Sequence, residues 1–199
     1  DERPRLRWHA TYQHAQEAGM ANAAQYFVTR NAAGPLAAKT AFREAARATK
    51  AGGGIAGIAI SDPFCVERHR ADFLSLIEHD LDYVIGNQHE IESLFESDFE
   101  TALAKTAEIC PLVVATRSGD GVSVLKDGQR WDVPVETVTP VDATGAGDQF
   151  AAGFLSGFAK GEPLERCLKR GAITAAEVIS HYGPRPEVDL KELVAEKLG

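Results

Sequence analysis

The chain of 199 residues has only three cysteines, Cys65, Cys110 and Cys167, and none stands in CxxC spacing. An odd number of isolated thiols argues against a disulfide framework or a cysteine zinc site, and implies reduced, mostly buried side chains in a cytoplasmic protein. No apolar run approaches the roughly 18 residues of a membrane span. Nowhere does GxxxxGK[ST] occur, which argues against a Walker-type phosphate loop. Positive charge is also short. The 21 Lys and Arg against 29 Asp and Glu give a formal net charge of −8, and the charges are mixed, which disfavours a nucleic-acid or anionic-membrane partner. Two literal matches mislead. Gly52-Gly53-Gly54-Ile55-Ala56-Gly57 satisfies GxGxxG, but it leaves a helix and enters a strand, the reverse of the dinucleotide-binding context. His9 and His14 have no Cys or acid cluster nearby, and the Arg3, Arg5, Arg7 alternation fits a solvated terminus.

At 44% hydrophobic and 25% charged, the chain can bury one sizeable core and most simply forms one domain. Its periodicity alternates. Apolar runs at Tyr26 to Thr29, Ile55 to Ile60, Leu81 to Ile85 and Pro111 to Thr116 predict strands, and amphipathic spacing predicts helices over Leu36 to Lys50, Val66 to His79, Glu90 to Phe95 and Asp98 to Ile109. Gly121 to Leu125 and Arg130 to Val135, separated by Lys126-Asp127-Gly128, predict a hairpin. Helices follow over Gly147 to Ala159, Leu164 to Ser180 and Leu190 to Leu198. Such alternation implies an α/β fold with a mainly parallel sheet, in which ligands sit beyond the carboxyl ends of the strands.

The segment Asp142-Ala143-Thr144-Gly145-Ala146-Gly147-Asp148 joins a glycine-rich turn to a carboxylate and then to an apolar helix. Its small residues let backbone N–H groups close on an anion where the helix dipole favours negative charge. Asp148 in the first turn fits a cap, but beside an anion it also suits a base that takes a proton from an attacking hydroxyl. Asn87 and Glu90, one helical turn apart after a strand, offer oxygen ligands suited to Mg²⁺ and its waters, or equally a capping box. Thr116-Arg117-Ser118-Gly119-Asp120-Gly121 follows another strand and could line a nucleotide's phosphates or ribose, or simply turn into the hairpin. Gly171-Ala172 and Ala175-Ala176 leave room for a flat ring or for close helix packing.

Asp142 to Asp148 with the following Phe150-Ala151-Ala152-Gly153-Phe154 resembles the second signature of the ribokinase-like, PfkB-type carbohydrate and nucleoside kinases, and Asn87-x-x-Glu90 resembles that family's magnesium motif. The resemblance spans residues 25–199, in the family's motif order. It implies a three-layer α/β/α fold and ATP-dependent phosphoryl transfer to a hydroxymethyl group. In that setting Asp148 is the base, Gly145, Ala146 and Gly147 form the anion hole, and Glu90 meets Mg²⁺ through water with Asn87 nearby. Thr116, Ser118 and Gly121 resemble the nucleotide loop, Ala172 aligns beside the adenine, and Asp142 resembles a ligand of a monovalent cation such as K⁺. Ser118 stands where relatives commonly have glycine, and Ala143 where they often have threonine.

Within the family, Ser61-Asp62-Pro63-Phe64-Cys65-Val66 and Glu177 to Pro186 resemble bacterial members acting on adenosine or sugars. Adenosine is the first acceptor expected; ribose, fructose or a keto-sugar acid is the alternative, and a non-catalytic nucleotide-binding module is another. The family's glycine-rich substrate motif and β-lid have no counterpart before Tyr26, so residues 1–24 are expected to be an N-terminal remnant of a longer chain. A homodimer is among the oligomeric states the resemblance carries.

Overall fold

The computed structural model describes residues 36–60, 62–135 and 138–199, without the side chains of 36–41. The expected strand at Tyr26 to Thr29 and the remnant over 1–24 lie outside the described residues. The chain divides into two compact units, one of residues up to Ala115 with the hairpin tip Leu125–Gln129, the other of Thr116–Val124 and Arg130–Gly199. Among the described residues no helix is long and apolar enough to cross a membrane.

The first unit alternates helix and strand: α1 (Leu36–Ala51), β1 (Gly57–Ala59), α2 (Pro63–Asp80), β2 (Tyr83–Asn87), α3 (Gln88–Phe95), α4 (Phe99–Ile109) and β3 (Leu112–Thr116). Its strands lie in the order β1-β2-β3. β1 runs parallel to β2, with Gly57 opposite Tyr83 and Ala59 opposite Ile85. The expected strand at Ile55 to Ile60 is shorter than its apolar run because its entry is held by a side chain: Asp82 Oδ2 accepts from the Ala56 N–H at 2.8 Å. Gly57 is required there, since a Cβ would lie 2.3 Å from the Tyr83 ring.

Helix starts follow their caps. Asp62 Oδ1 accepts from Phe64 N–H at 2.9 Å ahead of Pro63, and Asp98 Oδ1 accepts from Thr101 N–H at 3.0 Å. This satisfies amide groups that the helix itself cannot pair. Ile58, Ile77, Val84, Ile91, Leu94, Leu103 and Val113 are buried in one core, each contributing about 1.5–3 kcal/mol of apolar burial. α1 is fastened to α2 by charge. Asp80 is only 2% exposed and accepts from both Arg43 and Arg47, the latter at 2.9 Å.

The second unit holds a 3-10 turn at Ser118–Asp120, the hairpin β4 (Val122–Lys126) and β5 (Gln129–Val133), and helices α5 (Ala146–Phe158), α6 (Leu164–Val178) and α7 (Leu190–Leu198). The hairpin turn is tighter than the expected three-residue link. Asp127 and Gly128 alone span it, both with positive φ (51° and 74°), as a type I′ turn demands. α5 and α6 pack closely through glycine: a Cβ at Gly153 would lie 2.4 Å from Thr174 Oγ1, and one at Gly171 would lie 2.8 Å from the Phe150 ring. The Thr174 hydroxyl donates to Gln149 O at 2.6 Å across the same contact. Arg170 holds Glu162 through two bonds of 2.7 Å.

The buried carboxylate of Asp80 yields a stability prediction. Asp80→Ala in the full-length protein is expected to cost about 2 kcal/mol, because it strands the half-buried Arg43 guanidinium. Arg47→Ala should cost less than about 1 kcal/mol, since that guanidinium is mostly in water. Urea unfolding of the two variants measures the difference.

Candidate functional site

The turn before α5 is shaped by Asp142. Its Oδ1 accepts from Thr144 N–H at 2.9 Å and its Oδ2 from Gly183 N–H at 3.0 Å. With the Thr144 hydroxyl contributing most, these donors hold the Asp142 carboxyl down to about 2, so it stays ionised. Gly145 follows with φ of 82°, in the left-handed region, and is the N-cap of α5. A side chain there would meet Pro184, whose Cβ lies 2.7 Å from the position a Cβ would take. Lacking a side chain, Gly145 cannot cap the helix. Ala146 N–H donates back to Ala143 O at 3.2 Å, and the helix start lies at the positive end of its dipole. Gly147 faces open space on its Cβ side. Asp148, in the same first turn, has an exposed side chain, yet the protein around it displaces enough water to raise its carboxyl above the ordinary range.

This turn borders a cavity of about 500 Å³ within the second unit. Thr116, Ser118, Gly119 and Gly121 line one part of it, and Ala143, Ala146 and Gly147 another. The remaining wall is apolar, made by Val122, Val135, Val138, Pro140, Phe150, Ala172, Ala175, Ala176 and Ile179. The structure thus brings together six expected residues, Thr116, Ser118, Gly121, Ala146, Gly147 and Ala172, while Gly145, Asp148 and Asp142 sit in the adjoining turn. The small-residue stripe of α6 divides its labour. Gly171 serves close helix packing against Phe150, whereas Ala172, Ala175 and Ala176 face the cavity.

The loop at Thr116 to Gly121 is set by backbone strain. Arg117 N–H donates to Gly121 O at 2.8 Å, closing the turn. Ser118 takes φ of 48° and Gly121 φ of 96°. Gly121 has no alternative, since a Cβ would lie 2.4 Å from Val133 O. Ser118 occupies a conformation in which glycine would be unstrained, which gives a physical reason for glycine at this position. Val135, Val138, Pro140 and Ile179 were not anticipated as lining residues. For Val138 and Pro140 the signal was apolar residues after the hairpin that belonged to no predicted element, whereas Val135 and Ile179 lay at the ends of a predicted strand and helix.

Asn87 and Glu90 lie in the first unit, at the carboxyl end of β2. They form a reciprocal capping box: Asn87 Oδ1 accepts from Glu90 N–H at 2.9 Å, and Glu90 Oε2 from Asn87 N–H at 2.8 Å. Gly86 leaves the space, as a Cβ there would stand 3.3 Å from Glu90 Oε2. Glu90 is 4% exposed. Burial pushes its carboxyl up to about 7, against the lowering effect of the Asn87 N–H and with the Asp62 charge adding to the rise.

A family model described as pfkB family carbohydrate kinase matches residues 7–190. An uncharacterized sugar kinase of Archaeoglobus fulgidus is 42% identical over 103 residues, covering 51% of this chain and 41% of that protein. Among solved structures, the chain is similar to adenosine kinase from Sinorhizobium meliloti (TM-score 0.78, 41% identity, covering 80% of this chain and 50% of that one). It is equally similar to a probable sugar kinase from Rhizobium etli (TM-score 0.78, 39% identity, covering 80% and 49%). The chain therefore spans about half the length of these relatives, and its α/β fold is ribokinase-like.

The Glu90 environment predicts a pH effect on stability. A carboxyl raised in the folded state stabilises fully below its unfolded value near 4.5, and that contribution is lost as pH rises through about 7. Glu90→Gln keeps the capping acceptor without the charge. In the metal-free full-length protein the variant should gain stability relative to wild type between pH 5 and 8 by on the order of 3 kcal/mol at most. Thermal unfolding of both proteins across that range checks the sign.

Proposed function

Because the chain belongs to the pfkB family of carbohydrate kinases, we propose that the protein transfers a phosphoryl group from ATP to a hydroxymethyl group, with adenosine as the first acceptor. The observation that carries this reading is the N-terminus of α5, which has no side-chain cap and carries the Asp148 carboxylate in its first turn, at the edge of a cavity with an apolar wall. Phosphoryl transfer spreads negative charge over peripheral oxygens, so its catalysis is mostly positioning and electrostatics. The N–H groups at Gly145, Ala146 and Gly147 bind those oxygens, that of Ala146 in exchange for its 3.2 Å bond to Ala143 O. Asp148 accepts the proton of the attacking hydroxyl. A carboxylate lifted toward neutrality is the better base, because its conjugate acid more nearly matches the working pH.

The cavity fits a nucleotide. Ala172 and the neighbouring alanines leave a slot for a flat ring, and Thr116, Ser118 and Gly121 offer hydroxyl and backbone groups to the phosphates or ribose. For Mg²⁺, the fit rests on Glu90: a buried carboxyl held near neutrality is returned to its ionised form by a nearby cation. In this reading Glu90 meets the ion through water, with Asn87 beside it. Bound Mg²⁺ supplies charge neutralisation between phosphates. Asp142, ionised and tied to two backbone amides, is the residue of the turn best suited to a monovalent cation such as K⁺.

A sugar acceptor is the second reading. It is favoured by the near-equal similarity to a sugar kinase and to an adenosine kinase, 39% and 41% identity at the same TM-score of 0.78.

Full-length protein assayed for ATP consumption against a panel of nucleosides and sugars is expected to turn over adenosine, and its absence there rejects that acceptor. Asp148→Asn should lower kcat by about 10²-fold or more while ATP affinity, measured by calorimetry, changes little. Wild-type turnover in this variant would sink the base assignment.

A further inference from the structure

Glu177 sits in the last turn of α6, where a negative charge opposes the helix dipole. Its side chain is only 8% exposed, and its Oε2 is buried with no hydrogen-bond partner. Such a placement is unfavourable by itself. What it achieves is closure of the following loop. Glu177 Oε1 accepts from Glu187 N–H at 2.9 Å and lies 3.2 Å from His181 Nε2. One carboxylate oxygen thus ties both ends of residues 181–187, an irregular strap between α6 and α7.

The middle of that strap grips the turn before α5. Gly183 N–H donates to Asp142 Oδ2 at 3.0 Å, and Pro184 packs against Gly145, with its Cα 3.1 Å from where a Cβ would stand. The strap's root adds a third hold, since Val141 N–H donates to Ile179 O at 2.7 Å. Asp142 and Gly145 together bracket the start of the anion-binding turn.

We propose that Glu177 is a positioning residue for phosphoryl transfer: by closing the 181–187 strap it fixes the turn that presents the N–H groups of residues 145–147. The inference rests on the kinase reading for its kinetic consequence, but the mechanical coupling is independent of it. Donors aimed at the transition state act through placement, so loosening the turn should reduce kcat more than nucleotide binding.

The test uses the full-length protein with Glu177→Ala and Glu177→Gln. Alanine is expected to lower kcat about tenfold or more, to change the KM for ATP by less than about threefold, and to speed amide hydrogen exchange in both 179–187 and 141–147. Glutamine retains an acceptor oxygen for Glu187 N–H and His181, and should restore most of both readouts. Wild-type kcat in a folded alanine variant overturns the proposal, as does faster exchange in 179–187 with none in 141–147. If wild type turns over no acceptor, the kinase reading falls and the kinetic half goes with it, while unchanged exchange at 141–147 still overturns the strap alone. Should the alanine variant fail to fold, His181→Ala, which cuts one of the two ties, carries the same expectations and the same overturning results.

Discussion

The close approach of α5 and α6 at Gly153 and Gly171 sets the geometry of the second unit. Neither position tolerates a Cβ without displacing backbone or the Phe150 ring, so the two helices meet at a distance that only glycine allows. Three consequences follow along the helices. The N-terminus of α5 carries the glycine-rich turn, α6 turns Ala172, Ala175 and Ala176 to the cavity, and the end of α6 carries Glu177 and the strap. A methyl group at either glycine would therefore disturb cavity, turn and strap together, because a packed interior shifts as a unit rather than deforming locally.

Three carboxylates, Asp142 and Asp148 in the second unit and Glu90 in the first, are driven to different protonation behaviour by their surroundings. Asp142 accepts from backbone amides and falls to about 2; Glu90 is buried and rises to about 7; Asp148 is raised by partial desolvation alone. Divergent environments of this kind separate roles among chemically similar groups. A carboxylate fixed in the ionised form suits structure or a cation, whereas one lifted toward neutrality can exchange a proton near working pH.

The elements were legible wherever local chemistry decided them. Asp62, Asn87 and Asp98 announce helix starts, and the apolar runs of β2 and β3 are buried as their composition demands. Boundaries moved where a distant residue intervened. β1 is cut to Gly57–Ala59 beside the Asp82 tie to Ala56, and the hairpin tightens because Asp127 joins Gly128 at positive φ. The motif residues could be picked from the sequence because the turn chemistry is local. The apolar wall and the strap could not, since Val138, Ile179 and Gly183 acquire meaning only through tertiary placement, as in the bond of Gly183 to Asp142, 41 residues away.

Asp148 is open to two explanations, a helix cap or a base, and its surroundings differ from those of a cap. Asp98 shows what a capping carboxylate looks like: it precedes its helix, accepts from Thr101 N–H and the Thr101 hydroxyl, and is lowered from its ordinary value. Asp148 lies within its helix and is raised by desolvation. An acid at a helix N-terminus gains about 0.3–1 kcal/mol from the dipole when it is ionised, which lowers its pKa. Desolvation is the cause of the rise at Asp148, whereas hydrogen bonds lower Asp98. A carboxylate in the first turn that is not held as a cap supports the proposed role of proton acceptor.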